Sequence, residues 1–237
     1  MDRFIFLDTE TTGNDLLNDR LFQLCYKYKG ELSDGFFKPP VPITIKSQSI
    51  THVTNKMVEN YEAFEKSEMK KEIAELLQNN ILVAHNAIFD IAMLAHEGVI
   101  TPQFICTLKL ARALDTEGVI PEYNMQYLRY YLELDIEAAA HEAKDDVLVL
   151  EALFQRLFSK MLTLHADPAV AMREMIRISL EPSLFNVFPF GKHKGKKIED
   201  TVAIDRPYVT WLLEQKMQNN TGEEDWIYTL KHHLNIS

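Results

Sequence analysis

Cysteine is scarce in this 237-residue chain: Cys25 and Cys106 are the only two. Their separation fits no metal-binding spacing. A reduced, cytoplasmic protein is the simplest reading. Long apolar runs are missing as well. No stretch approaches the roughly 18 to 20 residues that cross a bilayer. The N-terminus does not read as a secretory signal either, because Asp2 follows Met1 directly and Asp8 and Glu10 interrupt the apolar run early. No membrane partner is therefore expected. Positive charge is in deficit: 25 Lys and Arg against 35 Asp and Glu leave a formal net charge of −10. Taken alone, that balance argues against broad electrostatic attraction to nucleic acid. Internal repeats and low-complexity segments are absent too.

The deficit is uneven. Residues 183–237 hold seven basic and seven acidic residues, so 18 basic and 28 acidic residues, and the whole −10, fall in 1–182. Residues 3–8, about 20–29 and 34–38 read as strands, the first two joined by the polar "GNDLLND". "KPPVPIT" (38–44) excludes regular structure, because its prolines fix φ and lack donors. Helical periodicity marks 67–79, and "ILVAH" (81–85) is a short buried strand followed by a helix at 87–97. A strand at 103–106 precedes a helix at 107–114. The strongest helix is 145–162, with Asp145 and Asp146 in its first turn, and another spans about 167–179. Strands first, then strands alternating with helices, indicate an α/β layer architecture.

Four acids stand where elements begin or end. Asp8 and Glu10 close the first strand, two residues apart and so on one face. Asp90 ends "HNAIFD" (85–90), and Asp146 ends "HEAKDD" (141–146), five residues after His141. Singly, each acid is also an ordinary helix-start or surface residue, and each histidine an ordinary loop residue. Together, "DTETTG", "HNxxFD" and "HxAxxD" resemble the three motifs of the DnaQ-like, or DEDD, 3′→5′ exonucleases, in that family's order and over about residues 1–160. The third motif is the histidine variant.

The resemblance implies a ribonuclease H-like exonuclease fold, with a central, mixed, mainly five-stranded sheet flanked by helices. It implies two Mg²⁺ or Mn²⁺ ions held by Asp8, Glu10, Asp90 and Asp146, with His141 as general base. The chemistry accounts for the residue types: hard cations prefer carboxylate oxygen, and a pair of them can serve phosphodiester hydrolysis. A near-neutral imidazole suits proton abstraction from water. Thr11 and Thr12 would line the terminal-nucleotide pocket, partly through backbone N–H groups. His52, in "SITHVTNKMV" (49–58), matches a family histidine near the terminal base, although a packing role serves equally well. Asn86 would help position Asp90.

After "EPS" (181–183) the texture changes. "FPFGKHKGKKIED" (188–200) carries Lys192, Lys194, Lys196 and Lys197 between and beside Gly191 and Gly195. Such a loop is either an exposed basic turn or a phosphate grip, in which glycines let the backbone approach and lysines supply charge. With "FICTLKLARAL" (104–114), "EYNMQYLRYYL" (122–132) and "PYVTWLL" (207–213), it is similar to the exodeoxyribonuclease X branch of the family. The expected organisation is an exonuclease domain at 1–165, a helical linker at 166–182 and a small basic-loop module at 183–237. The expected partner is the 3′ end of DNA, single-stranded or duplex, with release of 5′-mononucleotides and a role in repair. An exoribonuclease would use the same acids on RNA, and a non-catalytic binding or proofreading-type subunit would keep the fold without the reaction.

Overall fold

A computed structural model describes residues 2–136, 143–218 and 222–236. Its centre is a five-stranded sheet of order β3-β2-β1-β4-β5. The strands are β1 (Phe4–Thr11), β2 (Leu21–Tyr28), β3 (Glu31–Phe36), β4 (Ile81–Ala84) and β5 (Phe104–Cys106). β1 pairs antiparallel with β2 and parallel with β4, so it lies in the middle of a mixed sheet. Being covered on both faces, it is apolar at every position from Phe4 to Leu7, where a one-sided strand would alternate. The expected five-stranded α/β architecture is therefore present.

Ten α-helices are described: α1 (Ile45–Thr51), α2 (Asn55–Val58), α3 (Glu68–Asn79), α4 (Ala87–His96), α5 (Thr107–Leu114), α6 (Met125–Tyr131), α7 (Ala143–Leu164), α8 (Pro168–Leu180), α9 (Ile198–Gln218) and α10 (Glu224–Leu234). They divide the sheet's two faces by residue parity. Phe4 and Phe6 join the core formed with α5, α7 and α8, while Ile5 and Leu7 join the one formed with α3 and α4. Phe154 of α7 packs on both Phe4 and Phe6, with ring centroids 4.7 and 5.4 Å apart. Lys27 on β2 reaches Glu151 at 2.7 Å, fixing α7 across the sheet. The third strand begins at Glu31, earlier than its sequence suggests, because it pairs with β2 through a tight turn at Lys29 and Gly30.

α8, expected as a connecting helix, is packed into the larger core. Ala171 and Met175 are fully buried, and the Ser179 hydroxyl accepts the Cys106 backbone N–H at 2.8 Å. Residues 185–234 build a separate core around Phe188, Ile198, Val209, Leu212, Leu230 and Leu234. Its long helix α9 is bent at Asp205 (φ −147°, ψ 54°), two residues before Pro207, whose ring and missing N–H interrupt the ladder. Both cysteines are free and buried. No described helix is long and apolar enough to cross a membrane.

Candidate active site

The parity that places Phe4 and Phe6 against α7 continues to Asp8 and Glu10, which therefore face the helix that carries Asp146. One carboxylate oxygen from each of Asp8, Glu10 and Asp146 lies within 4.8 Å of the others. Thr9 points the opposite way, toward α4. Its backbone N–H and hydroxyl both donate to Asp90 Oδ1, at 3.1 and 2.7 Å. Asp90 thus joins the strand end from the other side, and its charge is the largest of the three acting on Asp8. A register shift between Glu10 and Thr11 breaks the ladder just beyond the acids.

These carboxylates are hard to ionise together. Burial, and then the charges of Asp90, Glu10 and Asp146, hold Asp8 well above the usual carboxylate range. Burial, then Asp146 and Asp90, push Glu10 up to about 7. Asp90 is also raised to about 7, burial outweighing the Thr9 hydrogen bonds that favour its ionised form. Four acids drawn to one strand end concentrate negative charge there. An all-oxygen, all-carboxylate donor set fits hard divalent cations such as Mg²⁺ or Mn²⁺, which would remove that conflict.

Sequence reading missed one of the groups that hold Asp146. Gln126, on α6, donates from Nε2 to Asp146 Oδ1 at 2.7 Å, and its own Oε1 accepts from Arg129 Nη1 at 3.4 Å. Nothing in "YNMQYL" singles out this glutamine, because the contact spans 20 residues and exists only once α6 lies beside α7. Gln126→Leu removes the orienting amide while keeping its bulk. Partners of metal-binding carboxylates are typically worth about 10–100-fold in metal affinity or activity. The concentration of Mg²⁺ giving half-maximal activity is therefore expected to rise about 10-fold or more. An unchanged metal titration would show that Gln126 does not position Asp146.

The remaining sequence candidates separate. A cavity of about 400 Å³ opens beside Glu10, lined by Thr11, Asn14, Thr44, Ser47 and Ile50 among others. The Thr11 hydroxyl donates to Gly13 O, and its carbonyl accepts from Ser47 Oγ. Thr12 is fully buried, and its N–H donates to Arg20 O at 2.9 Å while its hydroxyl donates to Asp19 at 2.6 Å. The Thr12 amide is thus engaged inside the protein, which leaves the cavity wall to Thr11. His52 is an exposed, left-handed cap closing α1, its N–H bonded to Gln48 O. Asn86 is exposed, and its left-handed backbone (φ 66°) turns β4 into α4, a conformation that asparagine tolerates. His85 is a structural residue: burial pushes it down to about 4, and its ring bridges Thr107 Oγ1 and Tyr123 O at 2.9 and 2.8 Å. His141, the expected base, lies outside the described residues. All four lysines of the basic loop are exposed, on the separate C-terminal core.

Comparison with known proteins agrees with this geometry. The RNase T-type family model described as Exonuclease matches residues 5–154, and one described as Exodeoxyribonuclease X-like C-terminal matches 188–216. Exodeoxyribonuclease 10 of Escherichia coli (strain K12) is 27% identical over 201 residues, covering 83% of this chain and 82% of the relative. The 3′-5′ exonuclease DinG of Bacillus subtilis is 28% identical over 191 residues, covering 75% of this chain and 19% of its own. In overall fold the chain resembles exonuclease X in complex with 5′ overhanging duplex DNA. That match has a TM-score of 0.57 and 23% identity, over 74% of this chain and 99% of that one. Escherichia coli exonuclease I in complex with a dA16 oligonucleotide superposes with a TM-score of 0.55 and 21% identity, over 72% and 45% of the two chains. With its sheet, its acid cluster and a family match over more than half its length, this chain belongs to the DnaQ-like 3′→5′ exonuclease family and carries an exodeoxyribonuclease X-like C-terminal segment.

Proposed function

We propose that this protein is a 3′→5′ exodeoxyribonuclease that removes 5′-mononucleotides from DNA ends, with Asp8, Glu10, Asp90 and Asp146 holding two Mg²⁺ or Mn²⁺ ions. The observation that carries the reading is the convergence of Asp8, Glu10 and Asp146 within 4.8 Å, at a site where burial and neighbouring carboxylates raise Asp8 and Glu10. When bound, such ions supply Lewis acidity at a phosphodiester, lowering the pKa of an attacking water and stabilising a leaving oxygen. The chain supplies the rest. The cavity walled by Glu10, Thr11 and Ser47 is of a size that takes one nucleotide. Gln126 and Thr9 keep Asp146 and Asp90 from turning away. His141 accepts the proton of the attacking water, in keeping with the motif it occupies. DNA as substrate draws support from the two relatives named for exodeoxyribonuclease activity or bound to DNA, and a role in repair is the further expectation that goes with it. The organisation that goes with this reading is a catalytic domain at 1–165, joined through 166–182 to a C-terminal module at 183–237.

A time course on 5′-labelled and 3′-labelled DNA oligonucleotides, with matched RNA beside them, tests it. With Mg²⁺ or Mn²⁺ the 5′ label should yield a ladder shortening by single nucleotides, while the 3′ label is released at once as a mononucleotide. EDTA should abolish both. Activity that survives EDTA, or a 3′ label that stays on long products, would overturn the assignment, and faster loss of RNA would move the substrate class to RNA.

A further inference from the structure

The four lysines of the basic loop are not equivalent. Lys192 Nζ donates to Asp205 Oδ2 at 2.7 Å, and Lys197 Nζ reaches Glu117 Oε2 at 3.5 Å. Lys194 and Lys196 are exposed and form no ion pair with any described residue. Between them stands Gly195, in a left-handed conformation (φ 81°), and a Cβ placed there would meet nothing within 4 Å. That side of the loop is open to an approaching ligand.

The loop beneath is rigid. Gly195 N–H donates to Phe188 O at 2.7 Å, Phe188 N–H to Lys196 O at 3.0 Å, and Lys196 N–H to His193 O at 3.0 Å. His193 is buried, its Nε2 lies 2.9 Å from Asp205 Oδ2, and its ring meets Tyr208 edge-on at 4.9 Å. Gly191 is pressed against the Tyr208 hydroxyl, so only Gly195 faces outward. Because the amides of 194, 195 and 196 are already bonded within the loop, a phosphate here would be held by ammonium groups rather than by a backbone nest.

The ring contacts continue outward. Tyr208 packs on Trp211 at 5.8 Å, and Trp211 is 51% exposed, whereas the chain's other tryptophan, Trp226, stacks on Phe188 and packs against Phe185 and Phe190. An exposed indole joined through Tyr208 and His193 to a loop with two unpaired cations is the pairing that single-stranded nucleic acid uses. Bases stack on the ring, and phosphates meet the charges. A paired duplex presents no free base face to such a ring. Arg112 reaches Asp225 at 3.4 Å and lies over the Phe185 ring, while Asn186 donates to Thr116 O at 3.0 Å. The C-terminal core is thereby fixed against α5 and the turn that follows it.

We propose that Lys194, Lys196 and Trp211 form a second contact for an unpaired nucleic-acid strand, independent of base sequence and rigidly attached to the catalytic region. The inference rests on the exonuclease reading and adds to it. Residues 1–182, which carry the whole net charge of −10, repel a polyanion. Two free ammonium groups and an aromatic ring hold the strand where the acidic region would not.

The test uses the full chain in EDTA, with tryptophan emission followed as an oligothymidylate is added at several salt concentrations. Quenching is expected. The Lys194→Ala/Lys196→Ala double variant should bind about 10-fold more weakly and lower the slope of log K against log salt by about 1 to 2, since each single-strand phosphate contact contributes roughly 0.7. Trp211→Ala should lose most of the quenching and bind about 10-fold or more weakly, as removal of one stacking ring does. Trp211→Phe should recover binding, and melting curves confirm that each variant is folded. Unchanged affinity and salt slope in the lysine variant would overturn the proposal, as would quenching by a blunt duplex or by polyglutamate equal to that by oligothymidylate. Mg²⁺-dependent hydrolysis of the nitrophenyl ester of thymidine 5′-phosphate by the unaltered protein reports the catalytic site alone. Its absence counts against the nuclease reading and not against this contact.

Discussion

Replacing Asp8 with Asn should lower Mg²⁺-dependent hydrolysis by on the order of 10³-fold while raising the melting temperature of the metal-free protein. The two effects share one cause. Burial, and then the charges of Asp90, Glu10 and Asp146, hold the Asp8 carboxyl well above the ordinary range. In the proposed hydrolysis the same charge density is useful, because it would hold the divalent cations that polarise a phosphodiester. Loss of several kcal/mol of charge stabilisation at about 1.4 kcal/mol per tenfold gives the expected drop. In EDTA the charge has no such partner, and asparagine of similar shape removes repulsion without opening a cavity. A variant that is both inactive and less stable in EDTA would show that Asp8 supports the fold rather than opposing it. Paired assays of melting and turnover separate the outcomes.

The second large effect is a stability that depends on pH only when metal is withheld. Burial, then the charges of Asp146 and Asp90, raise Glu10 from 4.5 to about 7, and burial raises Asp90 from 3.8 to about 7. The folded state therefore holds these protons more tightly than the unfolded chain does. Their contribution to stability is full below about pH 4 and is lost as pH rises through about 7. For Glu10 alone the raised value corresponds to on the order of 3 kcal/mol, an upper figure because the acids share their repulsion. A protein of this size shifts by about 2–4 °C per kcal/mol. The melting temperature in EDTA should thus be roughly 5–10 °C lower at pH 8 than at pH 5. Saturating Mg²⁺ should erase most of the difference, stabilising more at pH 8, where no proton competes for the carboxylates. A flat or rising melting temperature in EDTA between those values would contradict the electrostatics described for the site.

Much of the site was legible in the sequence because its signals are local. The run Phe4–Leu7 followed by two acids at even spacing specifies a covered strand with two carboxylates on one face. The dipeptide Asp145–Asp146 ahead of a long apolar helix marks that helix's start. What escaped detection depended on partners far along the chain. Gln126 meets Asp146, Thr9 meets Asp90, and Ser47 meets the Thr11 carbonyl across 20, 81 and 36 residues. No periodicity encodes such pairings. α9 was hidden for a different reason, since Pro207 interrupts its pattern at the bend beside Asp205.

The sequence by itself determined the layer architecture, the strand and helix that carry each acid, and the uneven division of charge at residue 183. Those features follow from residue spacing and composition, which act over a few residues at a time. Only the tertiary structure decided which acids meet, which threonine amide is already engaged, and which two of the four loop lysines are free. The reason is physical: a side chain's availability is set by what packs against it. Asp205 neutralises Lys192, and Glu117 draws in Lys197, because a bent helix and a docked turn bring them there.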